Sequence, residues 1–375
     1  ILLPDAQTRV VADFQDGLAS EQFVLGDILQ TTGEPWECCT RSILKSALAR
    51  LEAVAGVRLL SAFEHEFHFK GGSCPIGSAY TSAGFRAERE FAETLVAMLR
   101  DAGLEPDMVM KEYGVDQYEV TMGPTQGVTC ADQAVILREL VRVTAERLRR
   151  EVSFTPMRAP TGVGNGLHIH MSFRDNAGKP ATYDPERKFG LGKTAGQFIA
   201  GVLKYLDRIV AITAPSVISY ARLTPHRWSA AFNNLGFRDR EASVRICPVS
   251  DLSDIDKASQ YNFEFRAADA AASPYLALAA IVNAGAQGIE EELGCPDASE
   301  EDLSRLSGDD LERRGYIKLP QSLEEALAKF ENDKTVAGWF PQGFADVYVK
   351  HKQGEIDAMK GKTEAEICAA YEAAY

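Results

Sequence analysis

A run of residues in which polar and apolar side chains alternate strictly is the feature that most constrains this chain. Residues 166–173 read Gly-Leu-His-Ile-His-Met-Ser-Phe. Successive side chains of a β-strand point to opposite faces, so His168, His170 and Ser172 share one face and the apolar residues share the other. The pattern predicts a strand that packs one face on a hydrophobic core and presents two imidazoles on the other.

The same alternation recurs in residues 63–69, which read Phe-Glu-His-Glu-Phe-His-Phe. Glu64, Glu66 and His68 share one face of the predicted strand, with aromatic residues mostly opposite. Such groups are costly to bury unless a cation compensates them. Two carboxylates about 7 Å apart along a strand can each hold a different divalent ion. The two strands predict a metal site on a sheet, although a solvated edge strand would explain the second pattern taken alone.

Further charged residues fit such a site. Glu112 and Glu119 lie seven residues apart across a glycine-containing turn, which can bring their carboxylates together. Glu264 and Arg266 share one face of another predicted strand. Guanidinium groups match carboxylate and phosphate oxygens, and arginine is abundant in residues 222–245 of a chain that is acidic overall. These arginines are Arg222, Arg227, Arg238, Arg240 and Arg245. Surface ion pairing is the alternative explanation.

Metal-ligating carboxylates combined with arginines favour phosphoryl transfer. Divalent cations and guanidinium groups neutralise the charge on a transferring phosphoryl group, and further arginines can orient an anionic acceptor. The sequence contains neither a Walker A loop nor the glycine loop of protein kinases. A less common ATP-using fold is therefore expected.

Composition limits the classes of partner. The formal net charge of −14 over 375 residues disfavours nucleic acid, because binding to phosphate backbones requires a basic surface. The sequence shows no apolar run long enough to span a bilayer and no secretory signal pattern, so no membrane partner is expected. The seven cysteines are dispersed without a C-x-x-C pair, which is typical of reduced thiols. The sequence predicts a cytoplasmic protein that acts on small molecules.

Helix and strand patterns alternate without forming a regular βαβ series. The predicted helices are residues 41–55, 88–102, 130–151, 195–212 and 274–293. The predicted strands are residues 59–70, 118–122, 166–173 and 243–247, with a further strand around Glu264. Residues 70–85 are predicted to form a loop, and the charged tail after Glu300 to be helical. The prediction is an α+β fold in which helices surround one large, mostly antiparallel sheet.

Several ordered motifs resemble the glutamine synthetase superfamily over nearly the whole chain. They are residues 3–5, 63–67, 164–172, 219–223, 240–246, 263–266 and 273–276. The resemblance implies a glutamine synthetase catalytic domain over residues 31–375. Residues 1–30 would be a remnant of an N-terminal β-grasp domain that is otherwise largely missing. Since the sequence begins at Ile1, an upstream segment is expected to be absent from it.

The resemblance implies at least two divalent-metal sites with three ligands each. The ligands are Glu66, Glu112 and Glu119 at one site, and Glu64, His168 and Glu264 at the other. Mg²⁺ or Mn²⁺ suits these mostly hard oxygen ligands. The implied contacts of the co-substrate ATP are His170, Ser172, Arg240 and Arg245, and those of the acid substrate are Gly164, Arg222 and Arg266. The arginines with implied catalytic roles are Arg222, Arg240 and Arg266.

The implied reaction has two steps. ATP phosphorylates the γ-carboxylate of glutamate or a related acid, and an amine then displaces phosphate from the acyl phosphate. Members that form glutamine carry a glutamate six residues after the arginine matched by Arg222, and it takes a proton from ammonium. Trp228 stands at this position, and an indole is neither a base nor an anion. The acceptor is therefore expected to be an organic amine that meets an apolar or cation–π wall.

Two further departures from the family pattern concern the acid substrate and regulation. Val163 replaces an asparagine that helps to hold the amino acid, which leaves the identity of the acid open. Ser304 replaces the tyrosine that some bacterial members adenylylate, which argues against this form of regulation. The resemblance also implies a homo-oligomer of stacked double rings, such as a dodecamer.

Two functions compete with ligation of an organic amine as explanations of these motifs. One is glutamine synthesis with an unusual ammonium pocket, and the second is a non-catalytic structural homologue such as occurs in the vertebrate lens. The presence of all six metal-ligand positions favours an enzyme, because converging ionisable groups are costly to bury without a partner.

Overall fold

The computed structural model describes residues 1–72, 74, 77–250, 252 and 254–375. Its strands are β1 (Leu2–Pro4), β2 (Val10–Ala12), β3 (Glu21–Phe23), β4 (Gly26–Ile28), β5 (Val57–Lys70), β6 (Pro106–Lys111), β7 (Gln117–Met122), β8 (Thr125–Gln126), β9 (Glu151–Ser153), β10 (Leu167–Asp175), β11 (Leu235–Phe237), β12 (Val244–Ile246), β13 (Phe263–Phe265) and β14 (Ala298–Ser299).

The α-helices are α1 (Thr40–Ala55), α2 (Ser82–Ala87), α3 (Arg89–Asp101), α4 (Thr129–Arg147), α5 (Lys193–Thr213), α6 (Ser219–Arg222), α7 (Lys257–Gln260), α8 (Pro274–Glu290), α9 (Gly308–Arg313), α10 (Leu323–Asn332), α11 (Lys334–Ala337), α12 (Gln342–Met359) and α13 (Glu364–Ala374). The tail after Glu300 is mostly helical, as predicted.

One large sheet organises the molecule. Its strands follow the order β14-β11-β12-β13-β10-β5-β7-β6, and β8 and β9 also pair with β5. Neighbouring strands are antiparallel except where β11 pairs with β12 and with β14. The predicted α+β fold with a mostly antiparallel sheet surrounded by helices is confirmed.

The hydrophobic core lies between this sheet and the longest helices. The apolar faces of β5 and β10 contribute Phe63, Ile169 and Phe173, all of them buried, to one cluster with α1, α5 and α8. Helices α5 and α8 approach closely where two glycines face each other. A Cβ atom added to Gly201 would lie only 2.7 Å from the Cα of Gly288. The apolar side chains of the alternating pattern thus pack the two strands, whose opposite faces carry the ionisable residues, against the core.

Local chemistry explains where the predicted elements begin and end. Helix α1 ends at Gly56, which takes the left-handed φ of +63° that glycine tolerates best. The prediction of a helix as far as Glu151 is wrong. Arg149 has a φ of +55° and the N–H of Arg150 returns to the carbonyl of Ala145, so α4 stops at Arg147 and Glu151 begins β9.

The segment predicted as the loop 70–85 contains the start of a helix. The Thr81 hydroxyl accepts a hydrogen bond from the N–H of Gly84, which caps α2 at its N-terminus. Ser73, Pro75 and Ile76 lie outside the described residues. Pairing of β1 with β4 and of β2 with β3 forms two small sheets before α1. Whether residues 1–30 are a remnant of a β-grasp domain stays a prediction.

Among the residues that the structure describes, no helix is both long enough and apolar enough to cross a membrane. All seven cysteines are free thiols, which agrees with their dispersed spacing.

Candidate active site

The sheet register brings ionisable side chains together on neighbouring strands. His168 of β10 lies opposite Glu64 of β5, and Glu66 lies opposite Glu119 of β7. On the other edge of β10, β13 adds Glu264. Residues directly opposite each other in an antiparallel pair share a face, so these groups meet on one side of the sheet.

Glu112 reaches the same place from a turn. Strand β6 ends one residue earlier, and the N–H of Glu112 donates to the carbonyl of Gln117 at 2.9 Å as the hairpin closes. The Tyr80 hydroxyl lies 3.0 and 2.9 Å from the two oxygens of the Glu112 carboxylate. The glycine-containing turn thus returns the chain as predicted, and both Glu112 and Glu119 face one cavity.

This cavity has a volume of about 270 Å³ and combines carboxylates with guanidinium groups. The lining residues are Glu64, Glu66, Tyr80, Met108, Met110, Glu112, Tyr113, Glu119, Val163, Gly164, His168, Arg222, Arg227, Trp228, Arg240, Arg245 and Arg266. Nearly all of the residues predicted to bind metal or the acid substrate, and most of the predicted arginines, therefore line one cavity.

A subset of these groups has the geometry of a divalent-cation site. Ligand atoms of Glu64, Glu119 and His168 all lie within 4.8 Å of one another. The Nδ1 atom of His168 is 3.2 Å from Oε2 of Glu64 and 3.7 Å from Oε1 of Glu264. Burial and then the nearby Arg266 lower the pKa of His168 to about 4, which keeps the imidazole neutral, the form that binds metals. Two or three carboxylates and one neutral imidazole suit Mg²⁺ or Mn²⁺.

Two carboxylates of the cavity are poorly neutralised by protein groups alone. Burial, followed by the charge of Glu112, raises the pKa of Glu66 to about 7, although Arg222 opposes this shift. Burial and the charges of Glu64 and Glu66 raise the pKa of Glu119 well above its ordinary value. Like charges in a buried site favour a proton or a cation. The donor set therefore fits a divalent metal.

Glu264 and His170 lie behind this set. Glu264 is fully buried and forms ion pairs with Arg245 and Arg266. Burial opposes its ionisation, but Arg266, His168 and His170 bring its pKa down to about 2. The imidazole of His170 connects Glu64 with Asn262. Its Nε2 atom lies 2.9 Å from Oε1 of Glu64, and its Nδ1 atom lies 2.9 Å from Oδ1 of Asn262.

Some residues named from the sequence lie outside the cavity wall. Within the described part of the chain, His170, Ser172 and Glu264 do not line the cavity, and Ser172 lies further along β10, opposite Leu60. His68 shares its strand face with Glu66 but contacts Glu372 and Asn165 instead. Arg238 lies outside the cavity wall, over the ring of Phe237.

The structure adds residues that sequence reasoning missed. Gln117 donates from its amide to Glu66 at 2.8 Å and lies two residues before Glu119, so the same period-two argument could have found it. Tyr113 follows Glu112 directly and Tyr80 lies in a loop. No pattern in the sequence distinguishes these two tyrosines from surface residues.

The loop that carries Trp228 has a strained backbone. His226 and Trp228 have φ values of +65° and +51°, a conformation that non-glycine residues rarely adopt. The carboxylate of Glu241 accepts both of their N–H groups, at 2.9 and 2.8 Å. The guanidinium of Arg266 donates to the carbonyl of Trp228 at 2.9 Å. These bonds hold the indole at the edge of the cavity.

Aromatic rings close around this edge. The rings of Tyr113 and Trp228 stack with centroids 4.7 Å apart and planes inclined by 21°. Tyr80 meets Tyr113 edge to face at 5.2 Å. Trp228 stands where the resemblance implies a glutamate in members that form glutamine, and the cavity thus presents an aromatic surface there.

Comparison with known proteins gives one consistent family. Residues 37–371 match the family model described as glutamine synthetase, catalytic domain. The chain is 32% identical to the gamma-glutamylpolyamine synthetase GlnA3 of Streptomyces coelicolor, over 99% of this chain and 80% of that protein. It is 27% identical to a glutamate–isopropylamine ligase of Pseudomonas sp., over 95% and 77% of the two chains. It is 31% identical to a glutamine synthetase of Thermococcus kodakarensis, over 81% and 67%.

Solved structures show the same architecture. A crystal structure described as a novel glutamine synthase homolog superposes with a TM-score of 0.91 at 38% identity, covering 100% of this chain and 84% of the other. An ADP complex of GmaS superposes with a TM-score of 0.83 at 24% identity, covering 97% and 83%, and supports the fold alone.

Proposed function

Because this chain belongs to the glutamine synthetase family and is a carbon–nitrogen ligase, we propose that it joins an organic amine to the γ-carboxylate of glutamate or a related acid. Amine ligation is represented among its relatives, and enzymes of this family use ATP and divalent metals. The observation that carries the proposal is Trp228, which stands at the cavity edge, stacked on Tyr113.

The carboxylates and His168 are proposed to hold two or more Mg²⁺ or Mn²⁺ ions. Glu66, Glu112 and Glu119 would bind one ion, and Glu64, His168 and Glu264 another. The raised pKa of Glu66 and Glu119 supports this assignment, since a bound cation would relieve the repulsion among these buried groups. When bound, such ions neutralise charge on the phosphates of ATP.

The arginines are proposed to position the reactants. Arg222 and Arg266 would hold the acid together with Gly164, and Arg240 and Arg245 would contact the phosphates. Two fixed contacts support these roles. Nη1 of Arg222 donates to the carbonyl of Ala268 at 3.0 Å, and Nε of Arg266 donates to the carbonyl of Arg240 at 3.0 Å. Arginines that are held in place in this way require little reorganisation when an anion binds.

His170 and Ser172 are proposed to contact the nucleotide. They follow His168 on the same face of β10, where His170 contacts Glu64 and Ser172 lies further along the strand, opposite Leu60. A nucleotide along this strand would extend past the phosphate-contacting arginines, which is the arrangement that a terminal phosphoryl transfer needs.

The proposed chemistry proceeds through an acyl phosphate. A carboxylate oxygen of the acid attacks the γ-phosphorus of ATP and ADP leaves. The amine nitrogen then attacks the acyl carbon, forming the amide and releasing phosphate and a proton. Activation is required because an unmodified carboxylate is a poor electrophile with a poor leaving group.

Turnover with different acceptors tests the proposal. The protein with ATP, glutamate and Mn²⁺ should release phosphate faster with primary alkylamines than with ammonium. Preferred turnover with ammonium would instead support glutamine synthesis, as in the relative from Thermococcus kodakarensis. The position of Glu241 argues against glutamine synthesis. This carboxylate accepts the N–H groups of His226 and Trp228 and is absent from the described lining of the cavity, so it is not placed to serve an ammonium ion there.

Metal-dependent ATP binding tests the proposed metal and nucleotide sites. A non-catalytic homologue would fail to bind ATP in a metal-dependent manner, whereas we expect such binding.

A homo-oligomer of double-ring type, such as a dodecamer, stays a proposal that light scattering after gel filtration tests. As a ligase of this family, the protein acts on small-molecule substrates.

A further inference from the structure

Three aromatic side chains from separate loops meet at the mouth of the cavity. Tyr80 precedes α2, Tyr113 lies in the turn between β6 and β7, and Trp228 follows α6. Their rings contact one another through the Tyr113–Trp228 stack and the Tyr80–Tyr113 edge-to-face pair. We call these three residues the aromatic cluster.

The aromatic cluster is unusually exposed for side chains of this size. The exposed fractions of the three residues are 50% for Tyr80, 54% for Tyr113 and 46% for Trp228. All three nevertheless line the cavity, together with Met108 and Met110. A contiguous exposed apolar surface at the rim of a polar site is typical of a binding surface, because solvent contact with it is unfavourable.

The charges around the aromatic cluster indicate what kind of group it can hold. Arg227 and Arg240 line the same cavity as cations, so an anionic substituent would be drawn to them rather than to the rings. Glu112, the acidic residue in contact with Tyr80, is proposed to be engaged by metal. The rings and the two methionines therefore remain for the uncharged part of a ligand.

We propose that the aromatic cluster binds the carbon chain of the acceptor amine, so that the acceptor is a primary amine bearing several methylene groups. This inference rests on the proposed function and names Tyr113 and Tyr80, together with Trp228, as determinants of specificity. Methylene groups lying across an indole and a phenol bury apolar surface that ammonium and methylamine do not possess.

The protein holds the aromatic cluster in place through polar contacts behind it. Oε1 of Gln117 accepts the N–H of Gly114 at 2.8 Å, which fixes the turn that carries Tyr113. Glu241 fixes the loop that carries Trp228. A surface held on both sides in this way is preorganised for a ligand.

The inference is tested by the dependence of kcat/KM on the length of the amine. Phosphate release is measured with ATP, glutamate, Mn²⁺ and a series from methylamine to n-butylamine. In the native protein we expect kcat/KM to rise by roughly threefold to fourfold per methylene, the factor that corresponds to burial of one such group. Tyr113→Ala should reduce the ratio of n-butylamine to methylamine by about tenfold, and Tyr113→Phe should preserve it because the ring remains.

One control variant and a second cavity variant separate recognition from a structural effect. Trp36 is similarly exposed but does not line the cavity, so Trp36→Leu should leave the ratio unchanged. A second cavity variant, Trp228→Leu, should reduce the ratio as Tyr113→Ala does. The inference is overturned if Tyr113→Ala lowers turnover of all amines equally or leaves the ratio unchanged, or if the native protein shows no chain-length preference.

The same assay distinguishes failure of this inference from failure of the proposed function. Turnover with ammonium alone would contradict ligation of organic amines, whereas amine turnover that is insensitive to Tyr113→Ala contradicts only the role of the aromatic cluster. A comparison of n-butylamine with 1,4-diaminobutane identifies the contact. Equal losses in Tyr113→Ala support apolar contact with the chain, and a larger loss for the diamine supports an added cation–π contact with the same rings.

Discussion

The side-chain amide of Gln117 donates a hydrogen bond to Oε2 of Glu66 at 2.8 Å, deep inside the protein. The same amide lies 3.0 Å from the carbonyl oxygen of Gly164, and its own oxygen accepts the N–H of Gly114. One side chain thus connects a proposed metal ligand, the loop before β10 and the turn that carries Tyr113. Groups that orient metal ligands in this way contribute to affinity without touching the ion.

Replacing Gln117 is therefore expected to weaken metal binding. Gln117→Met removes the donor to Glu66 but retains most of the side-chain volume, and we expect the Kd for Mn²⁺ to rise by about 10- to 100-fold. Isothermal titration with Mn²⁺ measures this change. Gln126 lies on β8 with an exposed side chain, so Gln126→Met should bind Mn²⁺ as the native protein does. Native affinity in Gln117→Met would contradict the role of Gln117.

Metal binding should depend on pH near neutrality. Because burial raises the pKa of Glu66 to about 7, a proton competes with the cation for this carboxylate. We expect Mn²⁺ affinity to fall as the pH is lowered from 8 to 6, and titrations at several pH values measure it. An affinity that does not change over this range would show that Glu66 is not a ligand or that its pKa is not raised.

The metal-free protein should show the opposite trend in stability. The pKa of Glu66 is higher in the folded state than in the unfolded state, so its favourable contribution is fully present below about pH 4.5 and is lost as the pH rises through about 7. Glu66→Gln cannot ionise, and we expect its stability relative to the native protein to increase between pH 5 and pH 8. Urea denaturation at both pH values measures this difference, and a constant difference would contradict the shifted pKa.

Removing the carboxylate of Glu241 should disturb the acceptor side of the cavity alone. Without its two hydrogen bonds, the positive φ values of His226 and Trp228 lose their support. In Glu241→Ala we expect the KM for the amine to rise by about tenfold, while metal-dependent ATP affinity is unchanged. Glu300→Ala removes a neighbouring carboxylate outside the cavity and serves as the matched control. A parallel loss of ATP affinity in Glu241→Ala would indicate general disruption of the site.

The close approach of α5 and α8 predicts a strong response to one added methyl group. Gly201→Ala would place a Cβ against the backbone of α8, and overpacking of this kind destabilises by about 1–3 kcal/mol. Gly354 is exposed on α12 with open space around it, so Gly354→Ala should stabilise by up to about 1 kcal/mol. Denaturant unfolding of both variants measures these changes. A neutral Gly201→Ala would show that the two helices can separate without loss.

Local patterns predicted the helices and strands that have strong periodicity or clear ends. The prediction for residues 41–55 agrees with α1 because Gly56 terminates the helix, and the alternation in residues 166–173 agrees with β10. The helix predicted as far as Glu151 failed, since apolar spacing does not reveal that Arg149 adopts a left-handed conformation.

By itself, the sequence determined which strand faces carry carboxylates and imidazoles, because the period of two is a property of the extended backbone. It also determined that an indole stands near the arginines. Tertiary structure alone decided that Glu64 lies opposite His168, that Gln117 contacts Glu66, and that Tyr113 stacks on Trp228. These relationships join residues up to 115 positions apart, since Trp228 and Tyr113 come from separate loops. Strand register and loop packing bring them together, and neither is encoded in local periodicity.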